Sequence, residues 1–310
     1  MALTTILGAG GPISNELVKI LLAKGDPLRL VSRNPRPAMP GTETLAADVS
    51  DREQTARAVA GSSVVYLLVG LKYDVKVWQE LWPRIMANAI EAAKRAGAKL
   101  LFFDNVYMYG RVNGPMTEQT PYNPVSKKGE IRAEIATRLM DEVKRGNITA
   151  MISRAADFYG PADVQNGLPN ALVFAPFAKG SKAQWLLNDS LPHSLTFTPD
   201  AARGVAMLAE RDRAWNQIWH LPTAAPALTG REFIGTAAQA FGVKAKYRVL
   251  NRGMIKLGGW FNPMVRELYE MLYQNDSPYI FNSDKFAREF GFAGTPYAEG
   301  IRAAAASFRK

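Results

Sequence analysis

Short apolar runs alternate with amphipathic stretches through the first half of the chain. Runs at 4–7, 28–32, 43–47, 63–69, 99–104 and 148–153 have the length and content of strands. Stretches at 13–24, 51–60, 76–96 and 127–145 place apolar residues at helical spacing. In the two longest, the stripes are Val77, Leu81, Ile85, Ala89 and Ala93, then Ile131, Ile135, Leu139 and Val143. Strands alternating with helices predict a parallel sheet covered on both faces. Pro83 inside the third helical stretch predicts a kink or a restart. Glu130, Arg132, Glu134, Arg138 and Asp141 flank the fourth stripe and predict a polar outer face.

The second half is less regular. Proline and glycine cluster at 160–180, which predicts loop and short helix. Thr229-Gly230-Arg231-Glu232 is a capping box and predicts a helix reaching about Phe241. Thr295-Pro296 predicts a final helix with threonine as cap and proline as first residue. No linker or low-complexity segment separates the halves.

Composition narrows the chemistry. With 310 residues, 47% of them hydrophobic, the chain can bury a large core. No run of 18 apolar residues occurs, so no transmembrane helix is expected. No basic segment with an apolar h-region opens the chain, so a cytoplasmic protein is expected. Cysteine is absent and histidine occurs twice, as His193 and His220. Disulfides, thiol catalysis and histidine-rich or Cys–His metal sites are thereby excluded. The net charge of +10 comes from lysines and arginines scattered in ones and twos. That is a basic surface with attraction for anionic ligands, without a nucleic-acid-reading motif. The expected partner is a small-molecule substrate, with neither nucleic acid nor membrane.

The segment Thr5-Ile6-Leu7-Gly8-Ala9-Gly10-Gly11-Pro12-Ile13-Ser14 carries the first chemical signal. A strand runs into a glycine-rich turn and then a helix. Glycine lets the backbone approach a pyrophosphate, and the helix start offers free N–H groups. The next strand ends in Ser32-Arg33 with Arg36 nearby and no acidic residue. An acid there would accept from a ribose hydroxyl, whereas a guanidinium suits a 2′-phosphate. NADP is therefore expected in preference to NAD.

Six ordered segments resemble the extended, or atypical, short-chain dehydrogenase/reductase superfamily, its epimerase/dehydratase-like branch. Gly8 and Gly11 match the glycine motif of its first strand, with Ser14 in place of the third glycine. Asp48, in Ala47-Asp48-Val49, stands where the family's aspartate meets adenine. Val64-Val65-Tyr66-Leu67-Leu68-Val69-Gly70 resembles the fourth strand, and Phe102 to Gly110 the fifth with its Tyr-Gly. Arg154-Ala155-Ala156-Asp157-Phe158-Tyr159-Gly160-Pro161 resembles the element after the sixth strand. Phe197-Thr198-Pro199-Asp200 resembles the returning element. The resemblance implies an α/β, Rossmann-type doubly wound parallel sheet with a smaller C-terminal substrate lobe. The first domain would span 1–160 with 193–215 returning to it, and the lobe 161–192 and 216–310. It implies a cofactor site of Gly8, Gly11, Pro12, Ile13, Ser32, Arg33, Asp48, Val49, Leu67, Leu68, Val69, Asn105, Lys128 and Ala155.

The departures from the family pattern concern catalysis. The family's tyrosine and lysine, four residues apart on a helix, fall on Val125 and Gly129, and its serine on Asn105. The tyrosine normally moves a proton and the lysine lowers its pKa. Three readings stay open. Lys128 still reaches the ribose and Tyr107 or Tyr109, beside Asn105, supplies the proton. Alternatively, an electrophilic substrate needs little acid help. Or the chain binds dinucleotide as a redox sensor without chemistry. Tyr109 also has a structural role in many members, and Lys127 and Lys128 are also read as solvated charges opposing a helix dipole. Asp157 replaces the asparagine that contacts a nucleotide-sugar diphosphate, which disfavours an epimerase or dehydratase.

Phe174, Phe177, Trp185, Trp260, Phe261, Tyr269 and Tyr273 make the lobe aromatic and are expected in its core or along the cleft. His193 stands at the entry to the returning strand, where it could face that cleft. The expected activity is NADP-dependent oxidation–reduction of a small, largely apolar carbonyl or enone, by a monomer or homodimer.

Overall fold

The computed structural model describes residues 2–161 and 167–309. Its strands are β1 (Leu3–Leu7), β2 (Leu28–Ser32), β3 (Thr42–Ala46), β4 (Ser62–Leu67), β5 (Lys99–Asp104), β6 (Ala150–Arg154), β7 (Asp157–Tyr159), β8 (Ala183–Leu186), β9 (Leu195–Phe197), β10 (Ile218–His220) and β11 (Tyr247–Leu250). Its helices are α1 (Pro12–Ala23), α2 (Arg52–Val59), α3 (Val75–Ala96), α4 (Lys127–Lys144), α5 (Ala175–Ala178), α6 (Thr198–Ala209), α7 (Gly230–Phe241), α8 (Arg252–Phe261), α9 (Pro263–Leu268), α10 (Asp284–Phe290) and α11 (Tyr297–Ser307). The chain divides into two compact units of similar length. The first comprises residues 1–108, 128–154 and 202–219, the second 109–127, 155–201 and 220–310. The segment 109–127, assigned above to the first domain, thus clusters with the second.

The main sheet has the order β10-β6-β5-β4-β1-β2-β3. Strands β1 to β6 pair in parallel. Strand order reverses between β1 and β4, the switch point at which doubly wound sheets bind ligands. The first six strands and first four helices match the sequence periodicity to within two residues at each end. Their parallel strands are apolar on both faces because helices cover both. Leu100, Leu101 and Phe102 of β5 and Met151 and Ile152 of β6 are fully buried. Each such side chain contributes about 1.5–3 kcal/mol relative to exposure.

Three local expectations are corrected. Pro83 neither breaks nor restarts its helix, since α3 runs unbroken from Val75 to Ala96. Trp78 and Trp82 before the proline and Ile85, Met86 and Ala89 beyond it are all buried. That continuous packing outweighs one lost backbone bond. Thr295 does not cap the last helix, which begins at Tyr297. Its Oγ1 instead donates to Asp200 Oδ1 at 2.9 Å, and its N–H to Oδ2. Arg132 does not join a polar outer face, because only 6% of it is exposed.

The second unit is built around aromatic rings. Tyr159, Phe174, Phe177, Trp185, Phe233 and Tyr297 share one buried cluster. Two small parallel sheets, β8 with β11 and β7 with β9, contribute to it. Sequence periodicity did not find these strands, because four residues or fewer give no readable alternation. The stretch read as loop and short helix forms a π-helical turn over Asn170–Phe174 and then α5. Residues 162–166 of that stretch lie outside the described part. Trp260 and Phe261, expected in the core or cleft, are 77% and 82% exposed, and Tyr269 is 38% exposed. No helix among the described residues is long and apolar enough to cross a membrane.

Helix α7 carries the predicted capping box in full. Thr229 Oγ1 accepts from the Glu232 N–H, and the Thr229 N–H donates to Glu232 Oε2 at 2.8 Å. Thr229→Ala leaves the Glu232 N–H without its side-chain acceptor. It should lower stability by ~1 kcal/mol, read as a reduced urea midpoint at unchanged slope.

Candidate active site

In the first unit, the turn after β1 has the form a dinucleotide requires. Gly8 has φ +94°, and a Cβ on it would lie 2.7 Å from the backbone of Val69. Only glycine permits this approach of β1's end to the end of β4. Gly10 also has φ +97°, with open space where its Cβ would stand. Gly10 is not one of the two glycines that the sequence motif marks, Gly8 and Gly11. Gly11 is the N-cap of α1, Pro12 follows it, and no side chain caps the helix. Ser14, in place of the third glycine, is buried and its Oγ accepts from the Gly10 N–H at 3.0 Å. The hydroxyl ties the turn to the helix from inside. An uncapped helix start behind an open glycine turn fits a pyrophosphate.

The other expected cofactor residues of this unit lie at strand ends. Leu67 is buried, and the Leu68 N–H donates to Leu7 O at 2.8 Å. Ile13 is buried at the start of α1. Ser32 is half-buried, and Arg33 is exposed. Asp48 Oδ1 accepts from the Ser50 N–H and hydroxyl at 2.9 and 2.7 Å. Those bonds hold its carboxyl below the usual carboxylate range, and the Arg33 charge acts in the same direction. The Val49 carbonyl accepts from Thr55 Oγ1 and Asn88 Nδ2.

A buried ionic cluster stands at the carboxyl ends of β5 and β6. Asp104, 1% exposed, lies 3.3 Å from Arg132 Nη1 and 3.4 Å from Arg154 Nε. Burial pushes the Asp104 carboxyl upward, and the two guanidiniums pull it back. Arg132 lies 4.0 Å from the Trp82 ring centre and 4.9 Å from that of Trp78. The Asn105 N–H donates to Asp104 Oδ1, and the Tyr107 N–H donates to Asn105 Oδ1 at 3.0 Å. Two successive side-chain turns therefore fix the chain from 104 to 107. Residues Tyr107–Tyr109 then form a single 3₁₀ turn.

The tyrosines and lysine expected to act together are placed differently from one another. Tyr107 is half-buried and its ring stacks on Trp78, with centroids 6.2 Å apart. It lies within electrostatic reach of Arg132. Lys128 is fully buried, contrary to its reading as a solvated charge, and its Nζ sits 4.7 Å above the ring centre of Tyr73. Arg132 follows Lys128 by four residues, so both cations occupy one face of α4. Tyr73, Trp78 and Arg132 were not singled out from sequence. The signal available was two aromatics just after β4, at and beside the start of α3, where a doubly wound sheet binds ligands.

In the second unit, Tyr109 is fully buried and its hydroxyl is 2.8 Å from His220 Nε2. His220 Nδ1 is 2.8 Å from the Asn282 carbonyl, which can only accept. With the ring proton on Nδ1, Nε2 accepts, and Tyr109 donates to it. Gly110 follows with φ +65°, its missing Cβ leaving room for Asn123 O. Ala155, also in this unit, is buried. His193 Nε2 donates to Asp157 Oδ2 at 2.9 Å. Both residues line a cavity of about 20 Å³ together with Leu168, Leu172, Trp185 and Leu186. That volume holds a water molecule or little more.

Tyr109→Phe leaves a buried imidazole nitrogen without its donor. It should cost about 1–3 kcal/mol of stability. Tyr107→Phe, at a half-buried ring, should cost less than half as much. Urea unfolding of the two variants decides this, and equal losses would remove the distinction.

Residues 8–152 match a family model described as NAD(P)H-binding. No curated protein matches the chain. Solved structures match it over its whole length. The dTDP-glucose 4,6-dehydratase of Streptomyces venezuelae, bound to NAD, is 19% identical with a TM-score of 0.80, covering 100% of this chain and 97% of the other. The UDP-glucose 4-epimerase of Thermus thermophilus, complexed with NAD, is 18% identical with a TM-score of 0.79, covering 99% of each chain. The UDP-N-acetylglucosamine 4-epimerase of Bacillus cereus is 16% identical with a TM-score of 0.78, covering 99% and 96%. The chain thus matches an NAD(P)H-binding family model over residues 8–152 and shares its whole-length fold with these nucleotide-sugar dehydratase and epimerase structures.

Proposed function

We propose that this protein is an NADP-dependent oxidoreductase acting on a small, largely apolar carbonyl or enone. One observation carries the reading. In the first unit, the buried Lys128 and Arg132 lie on one face of α4, Lys128 over the Tyr73 ring and Arg132 against Asp104 and Trp78, while Tyr107 stacks on the same Trp78 and follows Asn105 at the end of β5. These are the groups needed to hold a nicotinamide ribose and to move a proton, although the family's usual positions carry Val125 and Gly129.

The cofactor, when bound, supplies or accepts the hydride. Gly8, Gly10, Gly11 and the N–H groups of Ile13 and Ser14 would hold its pyrophosphate. Asp48 and Val49 would meet the adenine, and Leu67, Leu68 and Val69 would floor the site. Ser32 and the exposed Arg33 offer a hydroxyl and a guanidinium to a 2′-phosphate, and no carboxylate follows β2 to repel it. Lys128 would hold the ribose. Tyr107 would give its phenolic proton to a developing alkoxide, or take it in the reverse direction. The charge of Arg132, within electrostatic reach of Tyr107, would favour the phenolate that this leaves. Tyr109 is the weaker candidate, because its proton is committed to His220 in a fully buried position.

The cavity of the second unit, walled mostly by leucines and Trp185, holds no more than about a water molecule and does not by itself select a substrate. Asp157 at its edge is engaged by His193, and its charge would repel a diphosphate. A second reading, a dinucleotide-binding redox sensor, is favoured by Val125, which is 49% exposed where the family has its tyrosine. Turnover separates the two: NADPH with a panel of ketones, enones and imines should lose nicotinamide absorbance. Silence across the panel with tight NADP binding would favour the sensor.

Calorimetry should show tighter binding of NADP than of NAD. Arg33→Ala should weaken NADP alone, by ~1–3 kcal/mol for a lost charged hydrogen bond. Equal weakening of both cofactors would remove Arg33 from the phosphate site. Tyr107→Phe should lower kcat by about 10²–10⁴-fold while NADP affinity is unchanged. If Tyr107→Phe turns over normally, the proton comes from elsewhere.

A further inference from the structure

The helical hairpin of α8 and α9 presents an apolar tip to solvent. Leu257, Trp260, Phe261 and Met264 are 56%, 77%, 82% and 62% exposed. A lone exposed leucine needs no explanation, but four large apolar side chains within eight residues do. The hairpin is a built feature. Asn251 and Asn262 cap α8 and α9 with their side chains. A Cβ on the buried Gly259 would lie 3.1 Å from Arg266 Cα, so the helices cross closely there.

Charge selects what covers this tip. From Gly242 to the end of α9 the chain carries six cations, Lys244, Lys246, Arg248, Arg252, Lys256 and Arg266, against a single carboxylate, Glu267. All six cations are exposed, and Arg252 is also paired with Asp276. Residues 252, 256 and 260 are spaced by four, so Arg252 and Lys256 share a face of α8 with Trp260. Lys256 stands about 6 Å and Arg252 about 12 Å behind Trp260 along the axis. An aromatic tip with cations this far behind it matches an anionic bilayer surface, where rings enter the headgroup–acyl boundary and ammonium groups meet phosphates. A second copy fits poorly, because an isologous contact would set these cations against themselves.

We propose that the α8–α9 tip docks the protein on anionic lipid membrane surfaces, with Trp260 and Phe261 inserted and Lys256 at the headgroups. This departs from the absence of a membrane partner expected from sequence. It stands apart from the cofactor chemistry, since these residues take no part in the site described above.

Flotation with vesicles tests it. The protein should float with phosphatidylcholine vesicles containing phosphatidylglycerol, less with phosphatidylcholine alone, and less as salt is raised. W260S/F261S should reduce flotation at least about tenfold. Lys256→Glu should reduce it about fivefold or more with the apolar tip intact. Fluorescence gives an independent readout. Trp78, Trp82, Trp185, Trp215 and Trp219 are each at most 6% exposed, so quenching by brominated lipid should vanish in Trp260→Phe. Three results would overturn the proposal: no flotation with anionic vesicles, flotation undiminished in W260S/F261S, or a wild-type dimer in sedimentation that this variant abolishes.

Discussion

One buried carboxylate orders the first unit's site. Asp104 sits at the end of β5 with guanidiniums from β6 and α4 on either side. A charge taken out of water is tolerated only when paired and hydrogen-bonded, so the three elements are held in one geometry. Removing the carboxylate would leave two buried cations facing each other. Asp104 also accepts the Asn105 N–H, and Asn105 in turn accepts the Tyr107 N–H. The positions of Asn105 and Tyr107 are therefore set by the same group that fixes Arg132, and through α4 by the turn that carries Lys128. The aromatic faces of Trp78 and Trp82 lie against Arg132, whose buried Nε and Nη1 have no hydrogen-bond partner and whose charge is met by the Asp104 ion pair and these rings.

The sheet and the first four helices were legible because their signals are local. Period and glycine placement depend only on neighbouring residues. The glycine turn was legible for the same reason, except at Gly10, whose positive φ has no mark in a run of three glycines and an alanine. What could not be read depends on partners far away in sequence. Arg132 belongs to the polar residues of α4 by type, and only Asp104 and the two tryptophans of α3 make its burial favourable. Lys128 is likewise inward because Tyr73 lies beneath it. Pro83 stayed helical because buried side chains continue on both sides of it. Trp260 and Phe261 were placed inside on their chemistry alone, and no local pattern distinguishes a ring that finds a core from one that does not.

Beside Val125 and Gly129, where the usual tyrosine and lysine would stand, α4 carries two buried cations on one face, at positions 128 and 132. Such a face needs acceptors and π-clouds opposite it, which Asp104, Tyr73, Trp78 and Trp82 provide. A phenol at the family's position would be carried by residue 125, whose side chain is half in solvent. The proton donor of the proposed reaction must then come from another element. The turn after β5 is suited to it, because its backbone is already pinned by two side-chain hydrogen bonds. A ring on that turn needs little further ordering, so its entropy is largely lost on folding and not during catalysis. On the proposed reading, a phenol carried by the turn instead of the helix would be a donor on pinned backbone within electrostatic reach of Arg132.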